Sequence, residues 1–179
     1  MTGHQPPATS QQSFEPKIVA IFCNWCTYMA SDLAGTSRVK YAPNLRIVRV
    51  MCSGRVEPQL VLWAFRQGAD GVLIGGCNPG DCHYQEGNYK TLRRVSLLKR
   101  MLPQLGIEPE RLRLEWICAA CVDEMRVAAN SFTEELRGLG PLHKWPGPAA
   151  PDDGPWTMDG GREAGSPIVE GEVSDHVNA

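Results

Sequence analysis

Short apolar runs alternate along this chain with longer stretches of helical spacing. Ile18-Val19-Ala20-Ile21-Phe22 contains no polar residue and ends at Cys23, the pattern of a strand buried on both faces. Residues 27–34 are small and apolar, suited to a short helix that Gly35 stops. Leu45, Ile47, Val48 and Val50 make a second strand that runs into Met51-Cys52. Pro58 then stands in the first turn of a helix on which Leu60, Val61, Ala64 and Phe65 recur at helical spacing, with Gly68 at its end. After the turn signal Asp70-Gly71, Val72-Leu73-Ile74 continues through two glycines into Cys77.

The second half repeats the alternation. Residues 88–105 carry Leu92, Val95, Leu98, Leu102 and Leu105 on one side and Lys90, Arg93, Arg94, Lys99 and Arg100 largely on the other, which predicts a long amphipathic helix. Pro103 should disturb its last turn. A connector, residues 106–109, leads to a fourth strand over residues 111–117 that again ends at a cysteine, Cys118. Residues 122–139 read as a closing helix with Met125, Ala128, Ala129, Phe132 and Leu136 as its buried set. The expected fold class is α/β: a single three-layer domain on a mainly parallel four-stranded sheet, with cysteines at the carboxyl ends of the strands. Residues 1–15, rich in Pro, Gln, Ser and Thr, are expected to be a flexible arm, residues 16–139 the folded domain, and residues 140–179 a Pro/Gly-rich disordered tail. Trp145 and Trp156 in that tail either anchor on a partner or pack locally.

Composition narrows the function. With 18 basic and 20 acidic residues, the chain has no overall electrostatic footprint for nucleic acid or an anionic membrane. No run of about 18 apolar residues appears, nor a secretory leader pattern, so a soluble, cytoplasmic protein is expected. Seven cysteines, an odd number grouped in tight pairs, do not form the disulfide framework of a small secreted domain. Dinucleotide fingerprints, P-loops, zinc-protease helices and nucleophile elbows are all missing from the sequence.

The chemistry therefore rests on thiols. Cys23 and Cys26 in CNWC, Cys52 in MCSGR, and Cys77 and Cys82 in GCNPGDC all follow a strand. Parallel α/β sheets place their sites outside those strand ends, so residues distant in sequence converge there. A two-iron cluster takes about four protein ligands, and these five are the candidates. The Pro and Gly between Cys77 and Cys82 favour a compact turn that brings the two together, and Cys52 would join them from the adjacent strand. Arg55 could offset cluster charge or contact a partner. His83 is more readily a histidine beside the site than a ligand to it, and Trp25 and Tyr84 would shield the site. Cys118 and Cys121 form a further C-x-x-C that admits three readings: extra ligands, a redox pair or core residues. Spacing alone leaves two competitors to a cluster, a zinc-stabilised interaction module and a thioredoxin-like dithiol oxidoreductase centred on Cys23 and Cys26.

The combination CNWCTY, RVMCSGRVEP, GADGVLIGGCNPGDCHYQEGNYK and ERLRLEW, spread over residues 15–139, resembles the methyl-viologen-reducing hydrogenase delta subunit family, also called the hydrogenase iron–sulfur subunit family. The resemblance implies a small cytoplasmic electron-transfer subunit, itself without substrate catalysis, that carries a [2Fe-2S] cluster. Its implied partners are a hydrogenase or dehydrogenase subunit on one side and the flavin subunit of a heterodisulfide reductase-like complex on the other. It also implies Cys23, Cys26, Cys52, Cys77 and Cys82 as the ligand set, with one of them spare; the chain departs from the family's pattern at ICAACVDEM, and the tail after Leu139 is its own. The basic face of the 88–105 helix would either steer an acidic partner or be a solvated face, the second being the more common use of exposed charge.

Overall fold

A computed structural model of the protein describes residues 14–142. The expected tail beyond residue 142, with Trp145 and Trp156, and all but the last two residues of the expected arm lie outside the described residues. Four strands, β1 (Ile18–Cys23), β2 (Leu45–Val50), β3 (Gly71–Gly76) and β4 (Leu112–Trp116), form one sheet in the order β2-β1-β3-β4. All three pairings are parallel, with Ile18 opposite both Leu45 and Gly71. Four helices connect and close the sheet: α1 (Thr27–Thr36), α2 (Pro58–Arg66), α3 (Gly87–Met101) and α4 (Val122–Leu139).

Side-chain alternation along the central strands builds a core on each face. Ile18, Ala20 and Phe22 of β1 pack with Leu73 of β3 against Ala30 of α1 and Met125, Ala129, Phe132 and Leu136 of α4. Ile21, Val72 and Ile74 point the opposite way, against Val61 and Phe65 of α2 and Val95 and Leu98 of α3. Burying a side chain the size of Phe132 or Leu136, both fully enclosed, stabilises the fold by roughly 1.5–3 kcal/mol. The expected buried set of α4 is thus observed, with Thr133 added to it. The β1 and β3 strands are apolar throughout because both faces are covered, whereas β2 is an edge strand that keeps Arg46 and Arg49 exposed, a common guard against edge-to-edge pairing.

The elements differ from the sequence reading at several points. The α1 helix runs through Gly35, its expected stop, and ends at Thr36. The α3 helix stops at Met101 and tightens into a 3₁₀ turn, Leu102–Leu105, because Pro103 has no amide to continue the ladder. Its core side is Thr91, Val95 and Leu98, continued by Leu102; Leu92 faces outward and is 42% exposed. The β4 strand ends at Trp116, so Cys118 lies in the loop beyond rather than at the strand's last residue. Arg111, only 1% exposed, fastens the entry to β4 by donating to the Asp70 and Gly140 carbonyls at 3.1 and 3.0 Å and pairing with Glu108 at 2.7 Å.

The strand order has one functional consequence. The chain moves outward from β1 to β2 and then crosses back over β1 to β3, so β1 and β3 form the point at which the winding reverses. Doubly wound sheets open a crevice there, outside the carboxyl ends of the strands. Cys23 closes β1 and Cys77 directly follows β3.

Candidate metal centre

Three loops converge on that crevice. After β1, residues 24–26 turn into α1, with Cys26 at its N-cap. After β2, Cys52 caps a 3₁₀ turn, Ser53–Arg55. After β3, Cys77-Asn78-Pro79-Gly80-Asp81-Cys82 folds back on itself: the Asp81 amide donates to the Asn78 carbonyl at 3.0 Å, and Gly80 takes φ of 92°. Proline followed by a residue of positive φ is the signature of a tight turn of this kind, which a side chain at Gly80 would strain. The compact turn expected between Cys77 and Cys82 is present, but Cys82 pairs with Cys52 rather than joining Cys77.

The five thiols divide into three and two. The sulfurs of Cys23, Cys26 and Cys77 lie within 4.8 Å of one another and are buried, with Cys23 and Cys77 at 3.7 Å. Cys52 and Cys82 form the second group, sulfur to sulfur at 3.9 Å. The groups adjoin, since the Cys23 sulfur lies 3.8 Å from the carbonyl oxygen of Met51, the residue before Cys52. All five cysteines are free.

Gly87, which the sequence reading did not single out, shapes the second group together with Gly54 and Arg94. A Cβ on Gly87, the first residue of α3, would stand 2.1 Å from the Cys52 sulfur and 3.1 Å from that of Cys82. A Cβ on Gly54 would in turn stand 2.8 Å from the Gly87 Cα. The 3₁₀ turn and the start of α3 therefore meet backbone to backbone, and the two thiols fill the space the missing side chain leaves. Arg94 holds the turn in place by donating to the carbonyls of Gly54 and Val56 at 2.7 and 3.3 Å. This takes Arg94 out of the solvated basic face expected for α3. Asn88, 1% exposed, donates to the carbonyls of Cys77 and Asn78 at 3.3 and 2.8 Å and so ties α3 to the third loop. The signal for both positions was the pair Gly87-Asn88 at a helix start.

Backbone amides point at the sulfurs. The Gly54 amide donates to the Cys52 sulfur at 3.4 Å, the amides of Trp25 and Ser53 donate to Cys23, and that of His83 to Cys77. The Cys26 thiol donates to Cys23, which with these amides outweighs burial and lowers Cys23 to about 5 from 9.0. Giving up that proton costs Cys26 its hydrogen bond, so Cys26 is raised, burial adding to the effect. Burial raises Cys77 to about 11, and burial also raises Cys52. A set of thiols of which one is held well below the ordinary thiol range, beside amide donors, suits soft metal ligation, for which the thiolate is the binding form.

Of the aromatic residues expected to shield the site, Trp25 lines the crevice together with His83, while Tyr84 does not line it. The Trp25 indole stacks on the His83 imidazole with centroids 3.9 Å apart, and its N–H lies 3.4 Å from the Tyr84 hydroxyl, to which it donates. Beneath them is a cavity of about 350 Å³ lined by Trp25, His83, Cys26, Cys77, Asp81 and Cys118 among others. Cys118 is bonded to Cys121 in a disulfide. A second, more apolar groove of about 340 Å³, lined by residues of β1, β2 and α2, includes none of the thiols.

Comparison with known proteins agrees with this geometry. The family described as FlpD, methyl-viologen-reducing hydrogenase, delta subunit, matches residues 18–140. The vhc iron-sulfur subunit of an F420-non-reducing hydrogenase from Methanococcus voltae is 54% identical over 130 residues, 73% of this chain and 90% of the relative. The iron-sulfur subunit of the F420-non-reducing hydrogenase of Archaeoglobus profundus is also 54% identical, over 73% of this chain and 96% of that one. A third relative has a different layout. It is a subunit of the ferredoxin/F420H2-dependent CoB-CoM heterodisulfide reductase of Methanosarcina acetivorans, 45% identical over 75% of this chain, and the match occupies 17% of that longer protein.

Proposed function

The chain belongs to the methyl-viologen-reducing hydrogenase delta subunit family, and on that premise we propose that it is the one-electron relay of a hydrogenase–heterodisulfide reductase assembly, carrying a [2Fe-2S] cluster. The observation that carries the reading is the convergence of five free thiols on the reversal point of the sheet. Cys23, Cys26 and Cys77 supply three ligands, and the fourth comes from the Cys52–Cys82 pair, which narrows the spare thiol to one of those two. The donor set fits the group: soft sulfur ligands in the number it takes, and a cradle at Gly87 that any Cβ would fill.

When bound, such a cluster supplies a reversible one-electron couple. The protein's part is to hold and tune it. The amides of Trp25, Ser53, Gly54 and His83 donate to the ligating sulfurs and offset their negative charge, one of the levers that set potential. The stacked Trp25 and His83 rings limit water at one mouth of the site while staying near the surface, Trp25 being 41% exposed. A relay has to be close to its partners, and burial under a thin aromatic cover meets that need.

The Methanosarcina relative favours one partner. There the matching stretch is part of the same polypeptide as the rest of a heterodisulfide reductase subunit, so a separate chain of this family would dock on a protein of that kind and pass electrons towards its flavin. A hydrogenase or dehydrogenase subunit is the donor on the other side. Among the described residues no helix is long and apolar enough to cross a membrane, in keeping with assembly in the cytoplasm.

Anaerobic purification followed by counts of iron, acid-labile sulfide and zinc tests the proposal, with electron paramagnetic resonance of the dithionite-reduced protein. About two irons and two sulfides per chain, with a reduced two-iron signal, are expected. Serine at Cys23, Cys26 or Cys77 should each abolish cluster retention, and serine should do so at only one of Cys52 and Cys82. Stoichiometric zinc without iron would make the chain an interaction module and end the relay reading.

A further inference from the structure

Cys118 and Cys121 stand apart from the other five cysteines: they are bonded to each other, while the rest are free. We propose that this pair is a second redox centre, a dithiol–disulfide couple that exchanges two electrons with a dithiol reductant, separate from the metal-binding thiols. The proposal does not require the electron-relay reading.

Three features of the structure carry it. The first is the size of the loop. Only Ala119 and Ala120 lie between the bonded cysteines, and closing so short a loop removes little entropy from the unfolded chain. The covalent bond is therefore poorly placed to hold the fold together, which the two cores already do.

The second is access. Both cysteines are half-buried and the two alanines between them are exposed, so an external thiolate can reach the bond. The third is the setting of Cys121, which caps the 18-residue helix α4 without a competing side-chain cap. The dipole of that helix end favours a leaving thiolate, working against the Asp123 and Glu124 carboxylates of the same turn.

The exchange balances simply. A thiolate of the incoming dithiol attacks one sulfur, breaks the Cys118–Cys121 bond and forms a mixed disulfide with the protein. The second thiol of the reductant then attacks that mixed disulfide and leaves as its own disulfide, so the protein gains two thiols, two electrons and two protons.

The location ties the couple to the neighbouring site. Cys118 lines the same 350 Å³ cavity as Cys26 and Cys77. Trp116, two residues earlier, lies against Gly76 just before Cys77: a Cβ there would meet its ring at 2.6 Å. Opening the C-x-x-C loop thus frees one wall of the cavity, and the Trp116 indole sits where its emission reports the change.

The full-length protein, purified anaerobically, would be equilibrated in mixtures of reduced and oxidised dithiothreitol and of reduced and oxidised glutathione. Alkylation and peptide mass spectrometry would then show which cysteines are free, with tryptophan emission followed in parallel and metal counted in the same samples. Cys118 and Cys121 should become labelled together, in one reversible two-electron transition, while metal per chain stays constant. Cys118→Ser and Cys121→Ser should each abolish the transition without loss of metal.

A disulfide that persists in excess dithiol, or a pair that remains reduced against excess disulfide, would overturn the proposal. So would loss of metal from either variant, which would make these cysteines ligands. The wild-type titration stands without the variants should they fail to fold. A wild-type protein free of iron would sink the relay reading and leave this test intact.

Discussion

Alanine at Gly87 puts the two-thiol half of the site under direct steric test. Its Cβ would stand 2.1 Å from the Cys52 sulfur, where non-bonded contact needs about 3.5–4.0 Å, so the sulfur must retreat by at least about 1.4 Å. The backbone has little room to move instead, because Gly54 already meets Gly87 main chain to main chain and Arg94 pins the turn from behind. Overpacking of this kind costs about 1–3 kcal/mol, against which alanine in place of glycine in a helix returns up to about 1 kcal/mol. The expected protein is thus folded and destabilised by no more than about 3 kcal/mol, with the Cys52 side chain swung out of its 3.9 Å pairing with Cys82. Gly35→Ala is the matching control: it lies in α1 with nothing within 4 Å of the added Cβ. Urea unfolding reads stability, and iron per chain with the reduced paramagnetic spectrum reads the site. Gly87→Ala should lose iron or change the spectrum with a small shift in unfolding midpoint, and Gly35→Ala should do neither. A Gly87→Ala protein with the wild-type iron content and spectrum would refute the assignment of a ligand to the Cys52–Cys82 pair.

Two further outcomes follow from the other half of the site. Asn88→Ala removes the donor shared by the Cys77 and Asn78 carbonyls; Asn78 keeps the Asp81 amide, so the cost of about 1–3 kcal/mol for an acceptor losing its partner falls on the Cys77 carbonyl. Faster loss of metal to a chelator, with α3 intact by circular dichroism, is the expected result, and an unchanged rate would show that this tie does not hold Cys77. In metal-free protein, ultraviolet thiolate absorbance should show Cys23 already ionised at neutral pH and protonating as pH falls through about 5, while Cys77 stays protonated until about 11. Cys26→Ala removes the largest cause of the lowered value and should move the Cys23 step up towards the ordinary thiol range; a step that stays put would assign the effect to the surrounding amides.

How much of this was legible in the sequence depends on the range of the interactions involved. Strands β1 and β3 declared themselves by runs with no polar residue, because both faces of a central parallel strand are covered, and the five thiols could be placed because each follows a strand locally. The division into three and two could not be read in the same way. It depends on β1 lying between β2 and β3, an order that no periodicity encodes, and on a 3₁₀ turn of three residues, Ser53–Arg55, too short to leave a pattern. The roles of Gly87 and Arg94 are of the same kind. In sequence, Gly87 opens a helix and Arg94 belongs to a charged face, yet in space one makes room for two sulfurs and the other anchors the turn that presents Cys52. Leu92 shows the converse error, since helical spacing put it among the buried leucines of α3 and the fold leaves it outside. Local chemistry therefore named the candidate ligands, while the grouping of those ligands was set by backbone approaches between segments 30 or more residues apart, such as Cys52 and Cys82. Changes at Gly54, Gly87, Asn88 and Arg94 should accordingly disturb the centre as surely as changes at the cysteines, although none of the four offers a sulfur.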